Sequence, residues 1–142
     1  MKVRLHSLIV SGESKYFEYS DFVSVQQFIS NLVVTGESKY QIVNINLDDV
    51  DDDFAKVITK VFSRLIFEYA RGLEDRASLP FHIVVEEAHR YIQNDTDNFL
   101  IGYNIFERIA KEGRKYGVLL GLISQRPVDL SDTVISQCSN FL

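Results

Sequence analysis

The chain has 142 residues, the size of one ordinary domain, and its 46% hydrophobic and 25% charged content is globular, not disordered. The formal net charge of -5 argues against a free-standing DNA-binding module, whose phosphate contacts come with a net basic face. A single cysteine, Cys138, leaves no internal disulfide and fits a reducing interior, and no apolar run approaches the roughly 18 residues a membrane helix needs. The start, MKVRLHSLIV, is too short and mixed for a signal peptide, so a soluble cytoplasmic protein is expected.

Residues 1–39 read as a segment of short strands and one helix. "KVRLHSLIV" alternates and is rich in β-branched residues, as a strand is, and "SGESKYFEYSDFV" reads as a turn and a second short strand. Ser24 is placed to cap a short helix, "VQQFISNL", with Val25, Phe28, Ile29 and Leu32 on one face. The string "GESKY" occurs at 12–16 and again at 36–40, which is shared turn chemistry and not a repeat architecture.

"YQIVNINL" (40–47) is an apolar run of strand length that ends in the acidic string "DDVDDD" (48–53). Phe54, Val57, Ile58, Val61, Phe62, Leu65, Ile66 and Tyr69 then hold helical spacing for four turns. The acidic residues precede this helix, where its dipole favours anions; capping and solvation is their ordinary role, a cation site the alternative. "GLEDRASLP" is a loop, and "FHIVVEE" (81–87) a strand. A helix is expected over about 98–115, with Phe99, Tyr103, Phe106, Ile109 and Ala110 inward and Gly117 as its breaker. "VLLGLIS" (118–124) reads as a strand buried on both faces. Pro127 stops it, and Ser131 or Asp132 starts another helical turn.

From residue 40 the order is strand, helix, strand, helix, strand, which predicts a parallel sheet with helical crossovers. Chemistry in such sheets sits at the carboxyl ends of the strands. Those ends read Asp48-Asp49, Glu86-Glu87 and Ser124-Gln125-Arg126. Two adjacent acids at a strand end suit Mg²⁺–nucleotide chemistry. Glu86 would hold the metal through water and Glu87, pointing the other way, would orient or deprotonate the attacking water. Simple solvation of both is the competing reading. His82 and His89 beside the glutamates raise zinc, but the chain has no H-E-x-x-H and no cysteine pair at ligand spacing. Cys138 has no local motif of a nucleophile.

"IVVEEAHRYI" followed by "ERIAKEGRKYGVLLGLISQRPVDLSDTVISQCSNFL" resembles the HerA-like ATPases, which stand with the FtsK-type hexameric motors of the RecA-like P-loop class. Three blocks match in the family's order: "HIVVEEAH" as the Walker B strand, the "EGRKYG" turn, and "SQRP" followed by "SQC". The resemblance runs from about residue 40 to 142. It implies an α/β fold, part of a three-layer RecA-like core with a mostly parallel sheet and flanking helices. It also implies ATP and Mg²⁺ as cofactors, DNA as the partner of an assembled homo-hexamer, and a NurA-type nuclease or other defence effector beside it. No membrane is implied.

By the same resemblance Glu86 is the metal-side Walker B acid, Glu87 the catalytic base and Gln125 the sensor of the γ-phosphate. Arg114 is the expected arginine finger, reaching a neighbouring subunit's nucleotide, with a solvated helix-end charge as the alternative. Arg126 has a similar claim to the nucleotide, with packing against the neighbouring subunit as its alternative. "DNFL" and the residues around Thr96 are a candidate pore loop for DNA.

One departure from the family is large. No G-x-x-x-x-G-K-[ST] occurs in the 142 residues, and "SGESK" and "TGESK" lack the second glycine and the ending that wraps phosphates. The expectation is therefore a fragment of a longer ATP-dependent DNA translocase, inactive by itself. Two other readings stand beside it. One is a non-catalytic module that scaffolds or inhibits a ring ATPase. The other is a different Mg²⁺-dependent phosphohydrolase, which would have no need of the "SQRP" and "EGRKYG" blocks.

Overall fold

The computed structural model describes residues 24–33, 42–94 and 104–141. The strands expected before residue 24, both "GESKY" strings, the loop around Thr96, Phe99 and Tyr103 lie outside the described residues.

The first helix, α1 (Val25–Val33), starts where Ser24 Oγ accepts the Gln27 N–H at 3.2 Å, the cap that the sequence predicts. Ile29 is its fully buried residue. The long helix α2 (Asp52–Arg71) is capped by Asp51, whose carboxylate accepts the N–H groups of Asp53 and Phe54 at 3.0 and 3.3 Å. Asp52 and Asp53 occupy its first turn, where the dipole favours them, so part of the acidic run is explained by the helix itself. Its buried face carries Phe54, Ala55, Ser63, Phe67 and Ala70, while Val57 and Val61 are exposed.

Strand β1 (Phe81–Val85) and strand β2 (Val118–Leu122) pair in parallel, Phe81 opposite Val118 and Val85 opposite Leu122. Helix α3 (Ile105–Glu112) connects them, capped by Asn104 Oδ1 on the Phe106 N–H and followed by a 3₁₀ turn over Gly113–Tyr116. A further 3₁₀ turn (Pro127–Asp129) leads to helix α4 (Asp132–Gln137), with Ser131 at its N-cap as expected.

The core lies between one face of the sheet and the helices. Phe81, Val85 and Val118 pack with Phe67 and Ala70 of α2, Phe106 and Ile109 of α3, and Val134 of α4. Tyr69 meets Phe81 edge-on at 6.0 Å, and Phe67 meets Tyr116 likewise at 5.7 Å. Full burial of a side chain such as Phe67 or Phe106 contributes about 1.5–3 kcal/mol.

Three expectations are corrected. Residues 42–47 are not a strand: they have no ladder partner among the described residues, and Ile42 is 85% exposed. Asn46 Oδ1 accepts the Asp48 N–H at 2.9 Å, a local turn that competes with pairing, and an unpaired extended segment gains nothing from its backbone groups. The sheet is therefore two-stranded among the described residues. β2 is not buried on both faces, since Leu119 of β2, like Val84 of β1, is exposed; helices cover one side of the sheet among the described residues. Finally, β1 ends at Val85, so the two glutamates lie in a turn and not in the strand.

Candidate functional site at the strand ends

The turn that carries the glutamates is set by one residue of the neighbouring strand. The Ile123 N–H donates to the Val85 carbonyl at 3.0 Å, and the Ile123 carbonyl accepts the Ala88 N–H at 2.9 Å. Both backbone groups of Ile123 thus clamp the positions flanking Glu86-Glu87. The two residues between must loop out and return within one step. Glu87 meets that demand with φ 48° and ψ 42°, the left-handed region, which costs a residue with a Cβ about 1–2 kcal/mol. Ala88, fully buried, anchors the return and opens a 3₁₀ turn over Ala88–Arg90.

The loop-out separates the two acids. Glu86 is exposed and has no hydrogen-bond or ion-pair partner among the described residues. Glu87 is half-buried and has a neighbour at each carboxylate oxygen: Gln125 Nε2 donates to Oε1 at 3.2 Å, and His89 Nδ1 lies 3.3 Å from Oε2. His89 Nδ1 is also 3.2 Å from Ser124 Oγ, which in turn accepts the Arg126 N–H at 3.1 Å. Residues 86–89 and 124–126 form one constellation, joined by the continued ladder at Ile123.

The acidic first turn of α2 reaches the same edge. Arg90, at the end of the 3₁₀ turn, is hydrogen-bonded and ion-paired to Asp52, and its guanidinium lies 5.5 Å from the Tyr91 ring centroid. The Asp52 hydrogen bond holds the Arg90 pKa above its ordinary value, with smaller help from Tyr91, the Asp52 charge and Asp48. The pair is exposed and positions the turn more than it stabilises the fold.

The remaining expected residues fall elsewhere. Arg126 is exposed and paired to Asp129 at 2.8 Å within the 3₁₀ turn, its backbone at the site and its charge turned along the chain. Arg114 lies in the Gly113–Tyr116 turn before β2, at the opposite end of the sheet, where the Phe81 N–H donates to the Gly117 carbonyl. Five residue pairs of ladder, about 16 Å at 3.3 Å per residue, separate it from Glu86 and Glu87. It does not join this chain's own constellation.

The geometry of "EGRKYG" explains both its glycines. A Cβ on Gly113 would lie 2.3 Å from the Val118 carbonyl oxygen, and Gly117 has φ 76° with Ala77 Cα 2.9 Å from where its Cβ would be. Between them Arg114 and Lys115 are held on the surface.

His89 and Ser124 are the members that sequence reasoning passed over. His89 drew notice only as a zinc ligand and Ser124 only as part of a polar strand end. The available signal was that both stand just past adjacent strand ends, four residues beyond Val85 and two beyond Leu122.

No protein-family model matches the chain. Among curated proteins it is 29% identical over 132 residues to the DNA double-strand break repair helicase HerA of Saccharolobus solfataricus, covering 89% of this chain and 26% of that one. It is 36% identical over 100 residues to the HerA of Sulfolobus acidocaldarius, 68% of this chain and 20% of that one. With the HerA of Pyrococcus furiosus it shares 34% over 86 residues, 61% and 14% of the two chains. The chain thus spans about a quarter or less of the length of the relatives it matches. Over most of its own length it is HerA-like in sequence, similar to helicases of that name.

Proposed function

We propose that the chain supplies the metal-and-water half of an ATP-hydrolysing site in a HerA-type DNA translocase. The observation that carries this reading is the division of labour between adjacent acids: Glu86 open to solvent, Glu87 turned back onto Gln125 across the strand ends. A solvent-facing carboxylate is the hard oxygen donor that a hydrated Mg²⁺ takes, and Glu86 would hold the ion through its waters. The ion, when bound with ATP, supplies positive charge to the phosphates. Glu87 orients and deprotonates the attacking water, and Gln125, fixed to Glu87, turns toward the terminal phosphate when nucleotide replaces that bond. Phosphate wrapping needs a P-loop, which the 142 residues do not contain, so the reading requires a P-loop-bearing segment or subunit beside this one.

Arg114 extends the reading to an assembly. Lying beyond the opposite end of the five-pair ladder from its own strand-end acids, it suits a nucleotide held by a neighbouring subunit. A homo-hexameric ring that moves DNA, with a NurA-type nuclease or other effector, follows from the HerA likeness and belongs to this proposal. The test is ATP hydrolysis by the P-loop-bearing assembly that contains this chain. Glu87→Gln is expected to stop turnover and spare ATP binding; unchanged turnover would overturn the assignment.

A second reading has its own observation. The 142 residues lack a P-loop, and one sheet face, with Val84 61% exposed, is uncovered among the described residues. A non-catalytic module that scaffolds or inhibits a ring ATPase would dock by such a face. It predicts that adding the chain to an active ring lowers its turnover whether or not Glu87 is present.

A further inference from the structure

The function just proposed gives roles to Glu86, Glu87 and Gln125 and none to His89, although His89 Nδ1 lies 3.3 Å from the second oxygen of Glu87. Its ring is mostly buried, with its side chain 16% exposed, while that of Glu87 is 42% exposed. The ring is therefore the fixed partner and the carboxylate the one being placed. The Gln93 side chain caps the His89 carbonyl at 2.9 Å, which holds the backbone behind the ring.

The proton on the ring follows from its neighbours. A carboxylate only accepts hydrogen bonds, and Oε1 of Glu87 already accepts from Gln125. Nδ1, facing Oε2 at 3.3 Å, must carry a proton for that contact to attract. Ser124 Oγ, 3.2 Å from the same nitrogen, has a second lone pair besides the one that takes the Arg126 N–H, and it shares the Nδ1 proton. We propose that His89 is a positioning residue for Glu87, held as the Nδ1–H tautomer between Glu87 and Ser124. Through it the carboxylate is tied to both strand ends, by Gln125 on one oxygen and by the His89–Ser124 link on the other. The left-handed turn puts Glu87 in place and the histidine fixes which way its oxygens face. The catalytic use of that orientation rests on the function proposed above; the tautomer does not.

Two experiments separate the parts. The first is a long-range ¹H–¹⁵N spectrum of the imidazoles in the ¹⁵N-labelled chain, without nucleotide, well above the ordinary histidine pKa of about 6.5. The signals of His89 are identified by their loss in His89→Asn. A protonated Nδ1 and a bare Nε2 are expected; a protonated Nε2 overturns the link, whatever the chain's activity. The second is steady-state ATP hydrolysis by the P-loop-bearing assembly. His89→Ala should lower kcat about 10- to 100-fold, the cost of a misplaced catalytic group, with KM little changed. His89→Asn, whose amide nitrogen takes the place of Nδ1, should recover most of that loss. Equal losses in Ala and Asn would overturn the positioning role. An Nδ1–H tautomer in an assembly that never hydrolyses ATP would leave the link standing and remove the function proposed above.

Discussion

Gln125 Nε2 reaches Glu87 Oε1 at 3.2 Å although the two residues are 38 apart in sequence and follow different strands. The contact exists because Ile123 extends the ladder past β2 on both its backbone groups, bringing Gln125 level with the looped-out glutamate. It makes the resting position of Glu87 depend on the second strand end. Gln125→Ala should lower ATP turnover by the assembled site about 10- to 100-fold, through loss of the resting orientation of Glu87 and of the contact with the terminal phosphate, without unfolding the chain. Steady-state kinetics with a thermal melt of the same sample checks both halves.

The backbone at Glu87 permits a test free of its carboxylate. Glu87→Gly and Glu87→Ala both remove the acid, but only glycine takes φ 48° without strain. The glycine variant should be more stable than the alanine variant by about 0.5–1 kcal/mol, measured as the difference in urea unfolding free energy.

Gly113 and Gly117 should tolerate no side chain. Alanine at either meets backbone, the Val118 carbonyl oxygen at 2.3 Å or Ala77 Cα at 2.9 Å. Each change is expected to cost about 2 kcal/mol or more, because overpacking adds to the strained φ at Gly117 and to a carbonyl clash at Gly113. Urea midpoints compared with the neighbouring Lys115→Ala, which should be near neutral, give the control.

Arg114 is expected to act across a subunit boundary. Arg114→Ala and Glu87→Gln should each abolish turnover in a uniform assembly, yet mixing the two should restore part of it, since some interfaces then pair an intact Arg114 with an intact Glu87. ATPase activity of the mixture as a function of mixing ratio is the readout. No recovery at any ratio would place the arginine's role within its own subunit.

Much of this was legible in the residues and some was not, for physical reasons. Helix α2 announced itself by period and by Asp51 at its start, and both signals are local. Its buried face was less legible, because Val57 and Val61 keep the helical spacing yet face solvent while Ala70 is buried by what packs on it. Residues 42–47 have the composition of a strand, but a strand needs a partner, and the Asn46 turn wins where none is paired. The acids at 86 and 87 could be placed at a strand end, whereas their separation by a left-handed turn is imposed by Ile123, far off in sequence. The same long-range pairing brings His89 to Ser124, which no local motif announces. The HerA likeness was carried by blocks whose spacing the fold explains: the turn glycines at 113 and 117, and the paired ends at 86–89 and 124–126.

The most direct measurement is ATP turnover by the P-loop-bearing assembly with Glu87→Gln, alongside ATP binding by the same variant. A general base and water-orienting carboxylate contributes about 10²–10⁴-fold, so turnover should fall by at least that lower figure while binding is retained. Turnover within a few-fold of the unaltered protein would contradict the claim that this strand-end turn carries the water-activating half of the site.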